Sequence, residues 1–568
     1  MRSSRVRRLA AVSSLALLAA MAPIPAYGQA PAPSFPNNAQ PPADQAPASL
    51  FGERIEVRVV NVEVVVTDRS GNKVQGLTAA DFRLRVDGKD VPIEYFTEVR
   101  GGDAVAPVAV EGQETVKGLP SLAPGTPVGT SYLVFVDDYF SITQRRDEVL
   151  RALKDDLARL GPEDRMAIVA YDGRKLDMLS SWTGSQLALS HALTAAMRRP
   201  AHGLERVAEL RSFESSRRTG LGVGTARNPR GAFFDRLDLE ELSYARRLTD
   251  QLGKSVAAAA STLRGFASPP GRKVMLLLDG GWPFNPGDYV VNNLNRPIME
   301  RELPPGDKVL APLADTANLL GYTVYPVDVE GLDVTGADAS RQTAGSTNLF
   351  PVRQQEIHAT LDFVARQTGG KPLLSGLRTA ALETAAQDTR AYYWMGFTPT
   401  RKGDNARHGL TVEVKRAGLK ARFRDSFRDL SREGEGAMMV ESAMLFGSPP
   451  GSEKLPIELG EVARSGRHEI EVPLSVAIPA SAITTVPIAG KYAAELELRV
   501  AALDVDGNRS EVPMVGLKLQ FEKPPPAGKF VPYKTRLRLR RVDQHLVIAL
   551  FDPLSGKILT AEADLAPK

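Results

Sequence analysis

The chain has 568 residues, 43% hydrophobic and 24% charged, a balance that excludes a mostly disordered polypeptide and, at roughly 100–200 residues per domain, predicts three or four domains. Cys is 0, which excludes disulfides, thiolate metal centres and a cysteine nucleophile; His191, His202, His358, His408, His468 and His545 never take the HExxH spacing of a zinc hydrolase. Arg2, Arg5, Arg7 and Arg8 equal the whole formal surplus of +4, so the rest of the chain is neutral and nucleic acid is not an expected partner.

Those arginines open a leader. Met1–Arg8 is basic, Leu9–Ala20 is apolar, and Ala26-Tyr27-Gly28 is a small-x-small cleavage signal, so residues 1–28 read as a signal peptide. The apolar stretch falls short of the ~20 residues a bilayer span needs. The mature protein is expected to be exported, periplasmic or secreted, with no transmembrane span. Residues 29–54 are a Pro/Ala-rich linker.

Residues 55–100 read as an N-terminal β-module. VRVVNVEVVV is β-branched, and FRLRV alternates strictly before the hairpin signal Asp87-Gly88. Residues 101–130 are a second linker.

From 131 to 425 apolar runs alternate with helical patterns. YLVFV (Tyr132–Val136), RMAIVAY (Arg165–Tyr171), KVMLLL (Lys273–Leu278), YTVYPV (Tyr322–Val327) and AYYWMGF (Ala391–Phe397) are predicted strands, with helices between them. Continuous apolar strands separated by helices predict a doubly wound, mainly parallel sheet covered on both faces, whose ligand-binding loops gather at the carboxyl ends of the strands. Residues 433–568 return to strand patterns and predict a C-terminal β-sandwich-like domain. The fold class expected is multidomain, α/β plus all-β.

Two of the central strands end in acidic loops, Asp137-Asp138-Tyr139-Phe140-Ser141 and Asp279-Gly280-Gly281. Two carboxylates and a hydroxyl at the carboxyl edge of such a sheet suit a hard divalent cation such as Mg²⁺. The same residues also suit a plainer role, with Asp137 and Ser141 capping the first helix and Asp279 opening a turn.

The strand–Asp–x–x–x–Ser–helix start and the VMLLLDGG strand resemble the von Willebrand factor type A (vWA) domain. The flanking patterns VEVVVTDRSGNKVQGLTAADFRLRVDGK and YYWMGFTPT are similar to the VWFA-related family common in acidobacteria. The resemblance implies a Rossmann-like vWA core and a metal-ion-dependent adhesion site. Asp137 matches its first Asp, Ser141 its second Ser and Asp279 its last Asp. Tyr139 stands where the first Ser is expected, and Thr219 or Thr225 are the weaker candidates for the Thr ligand, so the site is degenerate.

Thr219 and Thr225 lie in an insertion at 198–231, which holds eight Arg against three Glu and is Gly-rich from Gly220 to Gly224. It reads as a solvated loop, which the resemblance places near the metal face. The function expected is an exported, non-enzymatic protein-binding, adhesion or scaffold protein with an unidentified protein partner. An envelope hydrolase, or a structural envelope component with an inert vWA domain, is the alternative.

Overall fold

The computed structural model describes residues 60–105 and 125–566, leaving aside 223–229, 267–270, 291–295, 332–349, 400–403, 430–453 (save 431 and 434), 489–490, 505–508, 527 and 553–556. The expected signal peptide and first linker lie outside the described residues, as do most of the second linker and Thr225.

The chain opens with β1 (Val60–Thr67), β2 (Phe82–Val86), β3 (Lys89–Val91), β4 (Tyr95–Arg100) and β5 (Asp103–Ala104). Next come β6 (Thr130–Asp137), α1 (Thr143–Asp155), β7 (Arg165–Tyr171), β8 (Leu176–Thr183), α2 (Gln186–Met197), α3 (Gly203–Gly222), α4 (Arg230–Gly265) and β9 (Arg272–Asp279). Then follow α5 (Pro286–Val290), α6 (Arg296–Glu302), α7 (Gly306–Leu320), β10 (Tyr322–Asp328), α8 (Phe350–Thr368), α9 (Ala381–Thr389) and β11 (Ala391–Phe397). Three short strands, β12 (Arg407–Val414), β13 (Lys420–Arg422) and β14 (Ser426–Arg428), precede the C-terminal set. That set is β15 (Ile457–Leu459), β16 (Ala463–Arg464), β17 (Glu469–Pro479), β18 (Val486–Ile488), β19 (Lys491–Asp504), β20 (Arg509–Phe521), β21 (Phe530–Arg540), β22 (Gln544–Phe551) and β23 (Ile558–Leu565).

These strands form five sheets, and four are antiparallel throughout. The expected fold class, a doubly wound, mainly parallel vWA-like domain between two separate β-modules, is therefore corrected. Parallel strand pairs occur only in the sheet β10-β9-β6-β7-β8, and there β8 runs antiparallel at the edge.

The fifth strand expected in that sheet lies elsewhere. Ala391–Phe397 pairs antiparallel with β1 on one side and β4 on the other. Its apolar run misled because both of its faces are buried. Tyr393, Met395 and Phe397 pack with Val62, Val64, Phe82 and Leu410, while Tyr392 and Trp394 pack with Val65 and Val99 on the reverse side. A strand covered on both faces is continuously apolar whichever direction its neighbours run.

The N-terminal strands likewise do not close on themselves. β1, β4 and β5 share a sheet with β11 and β13, and β2 and β3 share one with β12 and β14. The two sheets pack face to face around Val62, Leu84, Tyr393, Phe397, Val412 and Phe427. This sandwich is completed by chain that follows the helical region. The C-terminal strands form two further antiparallel sheets about a core that includes Val472, Leu474, Leu498, Leu537 and Ile548.

The sheet with parallel pairs is buried on both faces. Leu133, Phe135, Met275, Leu277 and Val324 face one core with residues of α4 and α7; Tyr132, Val134, Val136, Leu276 and Val327 face the other with residues of α1, α2 and α9. Alternate side chains of one strand thus enter different cores, and the loops at its carboxyl edge are held on rigid elements.

Candidate functional site

Strands β6, β9 and β10 each end in an aspartate. Val136 pairs with Leu278, and Asp279 with Asp328, so Asp137, Asp279 and Asp328 stand in a row across three adjacent strands. All are at most 1% exposed.

Each loop folds back onto its own aspartate, a habit of short carboxylate side chains at strand ends. Asp137 Oδ1 accepts the amides of Tyr139 (2.9 Å) and Phe140 (3.3 Å). Asp279 Oδ1 accepts those of Gly281 and Trp282, both at 2.7 Å. Asp328 Oδ1 accepts that of Gly331 at 3.0 Å.

The second oxygens differ. Asp137 Oδ2 accepts the indole N–H of the fully buried Trp282 at 2.5 Å. Asp279 Oδ2 is buried with no hydrogen-bond partner, and so is Ser141 Oγ. Asp328 Oδ2 is also buried without a hydrogen-bond partner, with His358 Nε2 3.6 Å away. The Asp279 and Ser141 loops abut at Gly280, where a Cβ would sit 2.3 Å from the Ser141 amide nitrogen, so only glycine permits the approach.

Burial dominates the electrostatics. It pushes the Asp137 carboxyl up to about 6, against the opposing pull of the Trp282 hydrogen bond. Asp279 is raised well above the usual carboxylate range by burial, with Asp137 and Asp328 adding like charge. Asp328 is raised by burial as well. Three carboxyls each raised by burial, with the middle one raised further by its two neighbours, favour either protons or a cation.

Ser141 and Asp137 do not cap α1. The helix N-cap is Ile142, whose amide donates to Glu330 Oε1 at 2.9 Å with no side-chain cap of its own. The capping role is corrected on this geometry. The adjacent Asp138 is not free for a cation: it is buried between Arg146 (2.6 Å) and Arg199 (2.7 Å). Thr219 falls within α3.

The Arg-rich insertion is not simply a loop, since α3 takes up most of it. Its first residues are bonded to the site: His202 N–H donates to Asp138 O (2.8 Å) and Gly203 N–H to Ser141 O (2.9 Å). Arg206 places its guanidinium 4.6 Å from the Tyr139 ring centre, and Glu214 pairs with Arg353 of α8 at 2.7 Å. The insertion is thereby fastened over the acidic edge.

Chemically, Ser141 Oγ and Asp279 Oδ2 are oxygen donors of the kind a hard divalent cation takes. Asp137 has both oxygens engaged, so direct ligation by it requires release of the Trp282 indole. Sequence reasoning passed over Asp328, although YTVYPVD carries the same strand-then-Asp signal as its neighbours. It passed over Trp282, Glu330 and His358, which carry no local signal because their partners are distant in the chain.

No family model matches the chain, and no curated protein does. Among solved structures, an X-ray structure of a Northeast Structural Genomics Consortium target aligns at 17% identity over 20% of this chain and 88% of its own, with a TM-score of 0.15. A calcium-binding mutant of Bacteroides uniformis β-glucuronidase 2 aligns at 14% identity over 20% of this chain, TM-score 0.14; this chain spans 13% of its length. Bacteroides uniformis β-glucuronidase aligns at 11% identity over 31% and 19% of the two chains, TM-score 0.14. Likenesses at these scores carry no argument about fold or function.

Proposed function

We propose that this is an exported, non-enzymatic protein-binding protein, whose partner-binding loops at the carboxyl edge of β6 and β9 are ordered by Mg²⁺ held by Ser141 and Asp279, with Asp137 alongside. The observation that supports it is the pair of buried, unpartnered oxygens, Ser141 Oγ and Asp279 Oδ2, on loops that abut at Gly280. A buried polar atom without a partner costs about 1–3 kcal/mol, more when charged, and a cation would relieve both at once. The near-complete burial of these residues puts the ion beneath the surface, so it acts by fixing the loops rather than by touching the partner. Each carboxylate is tied to backbone amides, and Asp137 to an indole as well, an arrangement suited to holding rather than to turnover. Among the described residues no helix is long and apolar enough to cross a membrane.

Calorimetry of the mature chain with Mg²⁺ and Mn²⁺, paired with a pull-down from envelope extract, tests the reading. It requires heat that disappears in Asp279→Asn together with a partner lost in the same variant. Absence of heat at millimolar cation would sink it.

A further inference from the structure

At the open end of the β2/β3/β12/β14 sheet, three chain segments bring carboxylates around one imidazole. Asp404, His408 and Asp429 each offer a ligand atom, and these atoms all lie within 4.8 Å of one another; among the described residues no other group of three acidic or histidine side chains does so. Asp404 precedes β12, His408 lies in it, and Asp429 follows β14. The strands set the spacing, because His408 pairs with Phe427 across the ladder. Backbone bonds clamp the rest: Asn405 N–H donates to Asp429 O at 2.8 Å, and Asp429 N–H to Ala406 O at 3.1 Å.

The imidazole is oriented from behind. Asp87, in the β2–β3 turn, accepts from His408 Nδ1 at 2.8 Å, and its other oxygen accepts the Gly409 amide at 2.8 Å. The Phe427 ring stacks on the imidazole, with centroids 5.2 Å apart and planes at 28°. With Nδ1 committed to Asp87, Nε2 faces Asp404 Oδ1 at 3.5 Å. A carboxylate behind a histidine, with further carboxylates in front, is the outer-shell arrangement that fixes the tautomer of a metal-ligating His. Ligands about 2.0–2.2 Å from a tetrahedral Zn²⁺ stand a little over 3 Å from one another; Asp404 and His408 are at 3.5 Å, and all three ligand atoms lie within 4.8 Å.

We propose that Asp404, His408 and Asp429 form a Zn²⁺ site, with Asp87 as the positioning residue behind His408. One nitrogen with two carboxylate oxygens suits this borderline ion better than Mg²⁺ or Ca²⁺, which prefer oxygen throughout. Asp404 is exposed, so water completes the coordination. The site shares no residue with the Asp137–Asp279 edge, and neither proposal depends on the other.

Titration calorimetry of untagged full chain with Zn²⁺, alongside thermal unfolding, is the test. One Zn²⁺ is expected to bind per chain and to raise the unfolding midpoint. Asp404→Asn, at an exposed position, should weaken binding by at least about tenfold, His408→Gln should abolish it, and Asp87→Asn should weaken it about 10–100-fold with all three ligands in place. Zn²⁺ heat that is the same in wild type, Asp404→Asn and His408→Gln would overturn the proposal, as would no heat at micromolar Zn²⁺. A Mg²⁺ response lost in Asp279→Asn reports on the other site and leaves this result unaffected.

Discussion

Trp282 reaches back from the loop after β9 to donate its indole N–H to Asp137 at 2.5 Å, while its own amide donates to Asp279 at 2.7 Å. One fully buried residue thus joins two of the three edge aspartates, one through its side chain and one through its backbone. Trp282→Phe keeps most of the ring but leaves Asp137 Oδ2 buried without a donor. The expected loss is about 1–3 kcal/mol of stability, read from the urea midpoint at unchanged m-value.

The edge also sets a pH dependence. Asp137 holds its proton up to about 6 in the folded chain, above its ordinary value of 3.8. A group whose folded value is raised favours the native state while protonated, so its contribution is full below about pH 4 and is lost as pH rises through about 6. Two units correspond to about 3 kcal/mol. Asp137→Asn should flatten the fall in stability between pH 4 and 6, in cation-free buffer, relative to wild type. A curve that keeps the wild-type slope there would count against burial as the cause.

Asp138 and Arg146 form an ion pair with both side chains wholly buried. Asp138→Asn leaves Arg146 its exposed-side partner Asp147 at 2.9 Å and strands part of its charge in the core. Breaking one side of such a pair costs about 3–5 kcal/mol, whereas replacing both partners by apolar residues is often neutral. Asp138→Leu combined with Arg146→Met is therefore expected to be more stable than Asp138→Asn alone, by chemical denaturation.

Much of the edge was legible in the sequence because its signal is local. An apolar strand that stops at Asp137 or Asp279 writes both the element and its terminal carboxylate into a few adjacent letters. Ala391–Phe397 was misplaced because double-faced burial leaves the same letters in antiparallel and parallel sheets. The 198–231 segment read as loop because its glycines and arginines mask a helix held by Arg206 against Tyr139 and by Glu214 against Arg353. Asp404, His408 and Asp429 were beyond sequence reach, since only the register that sets His408 beside Phe427 brings the third of them to the others.

The split sandwich has a consequence for biogenesis. Val60 finds its ladder partner in Phe397, and Leu84 finds its own in Val412. β1 must stay unpaired, and β2 and β4 must each keep one edge bare beside their local partners β3 and β5, until the whole helical stretch and the strands beyond it have been synthesised. Pairings so distant in sequence slow folding and lengthen exposure to aggregation. Truncation before β11 removes β11 to β14 together and leaves β1 without either of its ladder partners.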